Sequence, residues 1–522
     1  MRKKILSLAL ACLMIMTVFA TAIPVFAVGN VCSVTIDSST EYYSSFDSAF
    51  KAAYSSTNNG KEVIIEFLAD ITAAETISKQ NCVDGSHTSY PTILVKGNDK
   101  TLTTTNTPFV MECNGKLTVE NLNIVSGDRF ASLGRGAVAE FSSCTFVSTG
   151  AGNGATTDGH SSGNNAAYFL GAADNSKINT LTITESEIEI TNETSTAPLF
   201  AAQDGSKCLL VKLDNVTAEL NETAPSVMIM QPKYNNYQKD MFVANDTTIT
   251  VGAEHGFDNI NRGDVKLSGT TSLTTTHENG VMFYTVSSST NTWNVYVDDE
   301  AKIVAKTLAS CTVTTNIYTT NPNFFSDSAF TAPTLEDGAS VRTTQDTDGE
   351  GLRFTANIAK DTTAKEYGII AAATTNELTS DNFTMAALGE GKYVKVASTD
   401  DGFKKDDSGD AVVYNAVLTG IAETSKNYSA RAYATYEYAT NVNITVYSAY
   451  DANVNSRNVK QVATLAYNDL LTQAEIDAKL ESGDLTAAEA AQYTCTVGDK
   501  LSRYGTEQRK VLAKIAGIST EA

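Results

Sequence analysis

Hydrophobic and polar positions along this 522-residue chain repeat one short strand pattern, apolar and polar residues alternating around a small polar turn residue. It reads LTVENLNI at 117–124, AEFSSCTF at 139–146, LTITESEI at 181–188, LVKLDNVT at 210–217, MFVANDTTI at 241–249, VKLSGTTSL at 265–273 and VYVDDEAKI at 295–303. Alternation of this kind predicts strands with one buried face. Taking Asn121, Ser143, Ser186, Asn215, Asp246, Gly269 and Asp299 as equivalent turn positions, the intervals are 22, 43, 29, 31, 23 and 30 residues. Repeats of roughly 20 to 30 residues predict the stacked coils of a parallel β-solenoid. The 43-residue interval holds either one coil with a long loop or two coils.

Around these coils the pattern changes. Residues Phe46 to Tyr54 form an amphipathic helical stretch, expected to cap an open coil end whose backbone groups would otherwise go unpaired. VIIEFLADI at 63–71 and TILVKGNDKTLTT at 92–104 read as the first coils. The expected organisation is a solenoid with its cap over 31–318, a linker over 319–338, a β-sandwich-like module over 339–471 and a helical tail over 472–522. In the module, LRFTANI and ARAYATYEY alternate as half-buried strands, and Ser456 is the expected N-cap of a helix carrying Val459, Val462, Ala463 and Ala466 on one face.

The first 27 residues change the address. Arg2, Lys3 and Lys4 precede an apolar run from Ile5 to about Ala20, and Val25-Phe26-Ala27 supplies a small-residue cleavage pattern, so a secretory signal peptide is expected. No later run approaches the roughly 20 apolar residues of a membrane-spanning helix, and the chain is not expected to be an integral membrane protein. Its last residues carry no sorting signal or apolar anchor, so the expected location is extracellular or non-covalently surface-associated. The formal net charge of −22 argues against nucleic-acid partners and disfavours polyanions. Cys32, Cys82, Cys113, Cys144, Cys208, Cys311 and Cys495 are an odd, widely spaced set without a CxxC pair, which reads as neither a disulfide framework nor a zinc site. Cys144 is expected to point inward as a small hydrophobe.

The repeated strand-turn-strand units LTVENLNIVS and LVKLDNVTAEL, with Asn121 and Asn215 at their turns, resemble the right-handed parallel β-helix proteins of the pectate-lyase-like superfamily over residues 60–318. The resemblance implies a right-handed parallel β-helix in which turn asparagines stack as a hydrogen-bonded ladder. It also implies a choice among polysaccharide lyases, glycoside hydrolases and adhesins, since that fold hosts all three. VRTTQDTDGEGLRFTANI at 341–358, KEYGIIAA at 365–372, YSARAYATYEY at 428–438, ITVYSAY at 444–450 and SRNVKQVATLAY at 456–467 resemble a β-rich C-terminal module of secreted proteins from anaerobic Gram-positive bacteria, one without an established activity.

Candidate chemistry is sparse. Glu185, Glu187 and Glu189 alternate along one strand, about 7 Å apart pairwise from a rise of roughly 3.3 Å per residue. Such a row suits calcium, although a solvated outer face needs the same pattern, with Ser186, Ile188 and Ile190 as inward partners. A second cluster, Asp128, Arg129, Arg135, Asp158 and His160, falls in loops flanking one strand, where a rigid scaffold would hold a ligand. An arginine base with acidic calcium ligands is what the superfamily resemblance implies for lyases, but no catalytic string matches, and no catalytic residue is assigned. His87, His160, His255 and His277 lie in turn-like contexts. Arg262-Gly263-Asp264 spells an integrin tripeptide that runs straight into a strand. Arg342, Arg353, Arg431 and Arg457 sit beside aromatic residues, where they either grip a sugar or staple strands together. Trp293, the single tryptophan, gives little support to an aromatic sugar platform. The leading expectation is a secreted, non-enzymatic, adhesin-like protein recognising glycans or a host surface; the alternative is a polysaccharide lyase or glycoside hydrolase.

Overall fold

The computed structural model describes residues 29–73, 90–111, 114–134, 136–150, 167–171, 178–193, 195, 197–202, 209–221, 226–229, 240–258, 263–286, 292–298, 300–325, 330–343, 351–374, 378–380 and 382–519. The chain is mostly β and carries long parallel sheets. It divides into two compact units, Met1–Met241 with Thr247–Asp258, and Phe242–Asp246 with Asn259–Ala522.

In the first unit, Cys32–Ile36 pairs antiparallel with Ser39–Tyr43 and with Glu62–Phe67. From Glu62–Phe67 onward the pairing turns parallel, through Thr92–Thr104 to Lys116–Ser126. Val138–Ser142 and Thr145–Ser148 follow, then Asn179–Ile190 and Leu209–Glu219. Val138–Ser142 pairs directly with the first half of Asn179–Ile190, so the long interval holds one repeat rather than two. A second parallel sheet runs Phe109–Met111, Ala131–Leu133, Phe169–Gly171, Phe200–Ala202, Met228–Ile229 and His255–Asp258. The core between these strands is aromatic: Phe141 lies 5.7 Å from Phe109 and 5.3 Å from Phe146, and Phe169 lies 5.5 Å from Phe200. The expected helix spans Phe46–Ala53. Ser45 caps it by accepting from Ser48 N, and Phe46, Ala49, Phe50 and Ala53 are buried.

Each long strand bends where its inward positions change parity. Leu117 and Val119 face inward, then Leu122, Ile124 and Ser126; Leu181 and Ile183 do so, then Ser186, Ile188 and Ile190. The residue just before the second set adopts a left-handed backbone: Asn121 at φ 52°, Ser143 at 51°, Glu185 at 50°, Asn215 at 53°, Asp246 at 47° and Gly269 at 57°. Glu185, not Ser186, therefore holds the third corner, because Ser186 is already an inward residue. The expected ladder between Asn121 and Asn215 does not form, since Ser143 and Glu185 occupy the strands between them; Ser143 Oγ donates to Glu185 Oε2 at 3.1 Å. Gly269 takes its corner without the strain the other corner residues carry, and a Cβ there would lie 2.3 Å from Asp246 Oδ1, so a larger residue would displace that carboxylate.

Strand ends share a second device that alternation does not reveal. Thr104, Ser126 and Ser148 are buried, and each hydroxyl accepts from the backbone N–H two residues on, at Asn106 (3.1 Å), Asp128 (3.1 Å) and Gly150 (3.3 Å). These short side-chain turns satisfy the backbone where the ladder stops.

In the second unit, Gly263–Ser268, Thr292–Val297 and Thr314–Thr319 pair in parallel in that order, and Thr314–Thr319 pairs in parallel with Val442–Tyr447. Val442–Tyr447 pairs on its other side antiparallel with Tyr428–Ala439, which in turn pairs with Glu366–Ala373. A separate antiparallel sheet is built on Leu352–Ala359 and Ala411–Leu418, and Tyr414 from it packs 5.1 Å from Tyr367. The helix after Ser456 begins later than expected. Asn458 is its N-cap, accepting from Gln461 N at 2.7 Å, while Ser456 belongs to a short strand paired with Ser429. The tail holds the helices Gln473–Ser482, Ala487–Ala490 and Thr506–Ala516, but also a small three-stranded sheet of Leu470–Leu471, Lys500–Ser502 and Cys495–Val497.

Two stability predictions follow from this arrangement. A left-handed glutamate is strained by roughly 1 to 2 kcal/mol, so Glu185→Asn should raise the unfolding free energy by about 0.5 to 1 kcal/mol in urea denaturation; a loss of stability would place the corner elsewhere. The Tyr414 hydroxyl is buried with no hydrogen-bond partner among the described residues. Tyr414→Phe should therefore be stabilising by about 1 kcal/mol in the same assay, whereas a clear destabilisation would mean that the hydroxyl is bonded after all.

Candidate functional site

The sequence candidates separate on inspection. Arg135, Asp158 and His160 lie outside the described residues, as do His87, Arg262 and Asp299. Asp128 and Arg129 are both buried, and Thr107 Oγ1 donates to Asp128 Oδ2 at 3.3 Å. Glu187 and Glu189 face outward along one strand leg, and Glu189 registers beside Glu219 of the next strand. Glu185 stands at the corner, out of line with them. Among the described residues, no three His, Cys, Asp or Glu side chains converge closely enough to hold a metal ion. His255 lies in a strand rather than a turn, its Nδ1 3.7 Å from Asp258. Cys144 is buried, and burial pushes its thiol up to about 11. Trp293 is fully buried as well, donating from Nε1 to Thr315 Oγ1 at 2.7 Å.

Arg431 is a structural staple. Its buried guanidinium donates to the carbonyls of Ser448 (2.8 Å), Phe383 (3.1 Å) and Ser380, and stacks 5.0 Å from the Tyr447 ring. Arg457 likewise donates to Asn453 O and Ser456 O.

The feature that sequence reading missed is a row of side-chain amides in the second unit. Parallel register brings Asp264, Asn294, Asn316 and Asn443 side by side on four adjacent strands. Asn294 Nδ2 donates to Asp264 Oδ1 at 2.9 Å, Asn316 Nδ2 to Asn294 Oδ1 at 3.3 Å, and Asn443 Nδ2 to Asn316 Oδ1 at 3.4 Å. Their strands bury Val265, Val295, Ile317 and Ile444 on the opposite face. Two residues along, the same register aligns Lys266, Tyr296, Tyr318 and Thr445. The Tyr296 and Tyr318 rings stack at 5.3 Å, and Tyr318 lies 6.3 Å from Tyr447. Stacked in this way beside the amides, the rings lead into the core: Tyr318 packs against the cluster of Ile370, Phe383, Tyr433 and Tyr447, and the Tyr296 hydroxyl is buried. Burial, with the charge of Asp264 second, pushes the Tyr318 phenol up to about 12, so it remains a neutral donor through ordinary pH. The signal was present in the sequence as Asn-Val-Tyr at 294–296, Asn-Ile-Tyr at 316–318 and Asn-Ile-Thr at 443–445. The third copy lies beyond the expected linker, which hid the recurrence.

Beyond this row, Glu366 accepts from Lys395 Nζ at 2.7 Å, Tyr433 Oη at 2.8 Å and Thr399 Oγ1 at 3.0 Å. Burial raises its pKa, but the Lys395, Tyr433 and Thr399 hydrogen bonds together with the Lys395 charge outweigh burial and hold it below the ordinary value. Its lone pairs are committed to structure. No protein-family model matches this chain, and no curated protein or solved structure matches it. The class defined by the fold is a mostly-β protein with long parallel sheets.

A carboxylate with a lower pKa folded than unfolded contributes stability above its unfolded value and loses it as pH falls through the folded one. Glu366→Gln should therefore lower the urea midpoint at neutral pH, and the gap to the unaltered protein should close below roughly pH 4. A gap that stays constant across this range would show that Glu366 does not titrate below its unfolded value.

Proposed function

We propose that this chain is a secreted or non-covalently surface-associated, non-enzymatic binding protein that recognises glycans or a host surface. In this reading the parallel sheets belong to a right-handed parallel β-helix, followed by a β-sandwich-like module. In-register parallel strands with left-handed corners at Asn121, Ser143, Glu185, Asn215, Asp246 and Gly269 support the first part. Two antiparallel sheets in contact through Tyr367 and Tyr414 support the second. Secretion is supported by the basic, apolar and small-residue order of the first 27 residues.

The observation that carries the functional reading is the amide row. Amides donate and accept at once, as sugar hydroxyls do, and an extended array of them suits a repeating ligand better than a single small molecule, which requires a concave pocket. The carboxylate within the row, Asp264, is buried and accepts from Asn294 Nδ2 at 2.9 Å, an arrangement that suits binding better than proton transfer.

The test is a glycan-array screen of the purified protein lacking residues 1–27, with calcium and with chelator, monitoring the same wells for release of reducing or unsaturated sugars. Binding without sugar release is expected, unaffected by chelator. Turnover would favour the lyase or hydrolase reading, and an absence of both binding and turnover would contradict glycan recognition.

A further inference from the structure

We propose that the half-buried amides of Asn294, Asn316 and Asn443 take an extended, uncharged polysaccharide chain laid across their strands. This rests on the glycan-binding reading and specifies its ligand class and its path.

Three features lead to this ligand. The first is spacing. Neighbouring strands lie about 4.8 Å apart, so the three asparagines present a straight row about 10 Å long, with one amide per step, which matches a polymer of repeating hydroxyls. The second is unspent hydrogen-bonding capacity. Each asparagine amide nitrogen carries two hydrogens, and Asn294, Asn316 and Asn443 each use one within the row. All three side chains are only half-buried, which leaves the second hydrogen for a ligand hydroxyl. Asn443 ends the row, and among the described residues its carbonyl oxygen receives no bond, so it is available as an acceptor. The third is charge. Asp264, at the opposite end, is buried, so the accessible part of the row is amide, and the whole chain carries a formal net charge of −22, so a polyuronate or sulfated chain would meet repulsion that a neutral chain does not. The Tyr296–Tyr318 stack runs parallel to the amides, with Tyr318 packed against the buried cluster of Ile370, Phe383 and Tyr447.

The experiment compares soluble neutral oligosaccharides of β-linked glucose, xylose and mannose with oligogalacturonate, by isothermal titration against the protein lacking residues 1–27 and its Asn316→Thr variant. Threonine favours strands, so this variant should fold; Asn443→Thr, at the end of the row, serves as a second, milder interruption, and thermal melting reports whether either is intact. The expected result is binding of at least one neutral chain, weakened about tenfold or more in a folded Asn316→Thr protein and less in Asn443→Thr. Glycan binding that is unchanged in both folded variants would overturn the path while leaving the glycan reading standing. Preference for oligogalacturonate would overturn the ligand class alone. Failure of every glycan to bind, here and on the array, would overturn both.

Discussion

In-register parallel pairing is the constraint on which the rest of this structure depends. A parallel ladder repeats the same residue position on every strand, so an inward hydrophobe in one repeat must meet another in the next, and an outward polar group must meet another outward group. Leu117, Ala139, Leu181 and Val211 align on one inward row, and Val119, Phe141, Ile183 and Leu213 on the next. A slip by one residue would turn every one of these outward. Magnitudes explain why the corner at Glu185 is tolerated. A left-handed glutamate costs roughly 1 to 2 kcal/mol, whereas keeping Ile183, Ile188 and Ile190 buried is worth about 1.5 to 3 kcal/mol each. Burial wins, and the corner takes whatever residue the parity change leaves there.

The same rule that builds the core makes the polar row. Once Trp293, Val295 and Val297 face inward, Asn294 and Tyr296 must face outward, and the register then stacks them against Asn316 and Tyr318. Val442–Tyr447 extends the row because it accepts a parallel neighbour on one side and an antiparallel one on the other. A ladder of amides is thus a by-product of alternation plus register, with asparagine on three of its strands where serine or threonine would satisfy the fold. Arg431 and Glu366, by contrast, have their hydrogen bonds committed to neighbouring strands and loops.

Much of the strand layout was legible in the sequence, because period-two alternation translates directly into a buried face. The helix Phe46–Ala53, the strand legs of 117–124 and 181–188, the inward Cys144 and the strands around 352–358 and 428–438 all fall where the pattern puts them. Errors arose where two rules competed. Ser186 resembles a turn residue, yet the parity of Ile188 and Ile190 requires it inside; Ser456 is a good capping residue, yet strand pairing with Ser429 claims it and leaves the cap to Asn458. The amide row was illegible for a different reason: its fourth member is 127 residues from the third in sequence, and only the fold brings them together.

The most direct test of this account is the register itself. Thr182 and Lys212 are outward partners on adjacent parallel strands, at a Cα separation compatible with a disulfide. In a Thr182→Cys/Lys212→Cys protein, mild oxidation followed by peptide mass spectrometry should recover the 182–212 cross-link in high yield, while Thr182→Cys/Ala218→Cys, out of register and on opposite faces, should give none. Equal yields from the two pairs, or a cross-link from the second alone, would contradict in-register parallel pairing and with it the origin of the amide row.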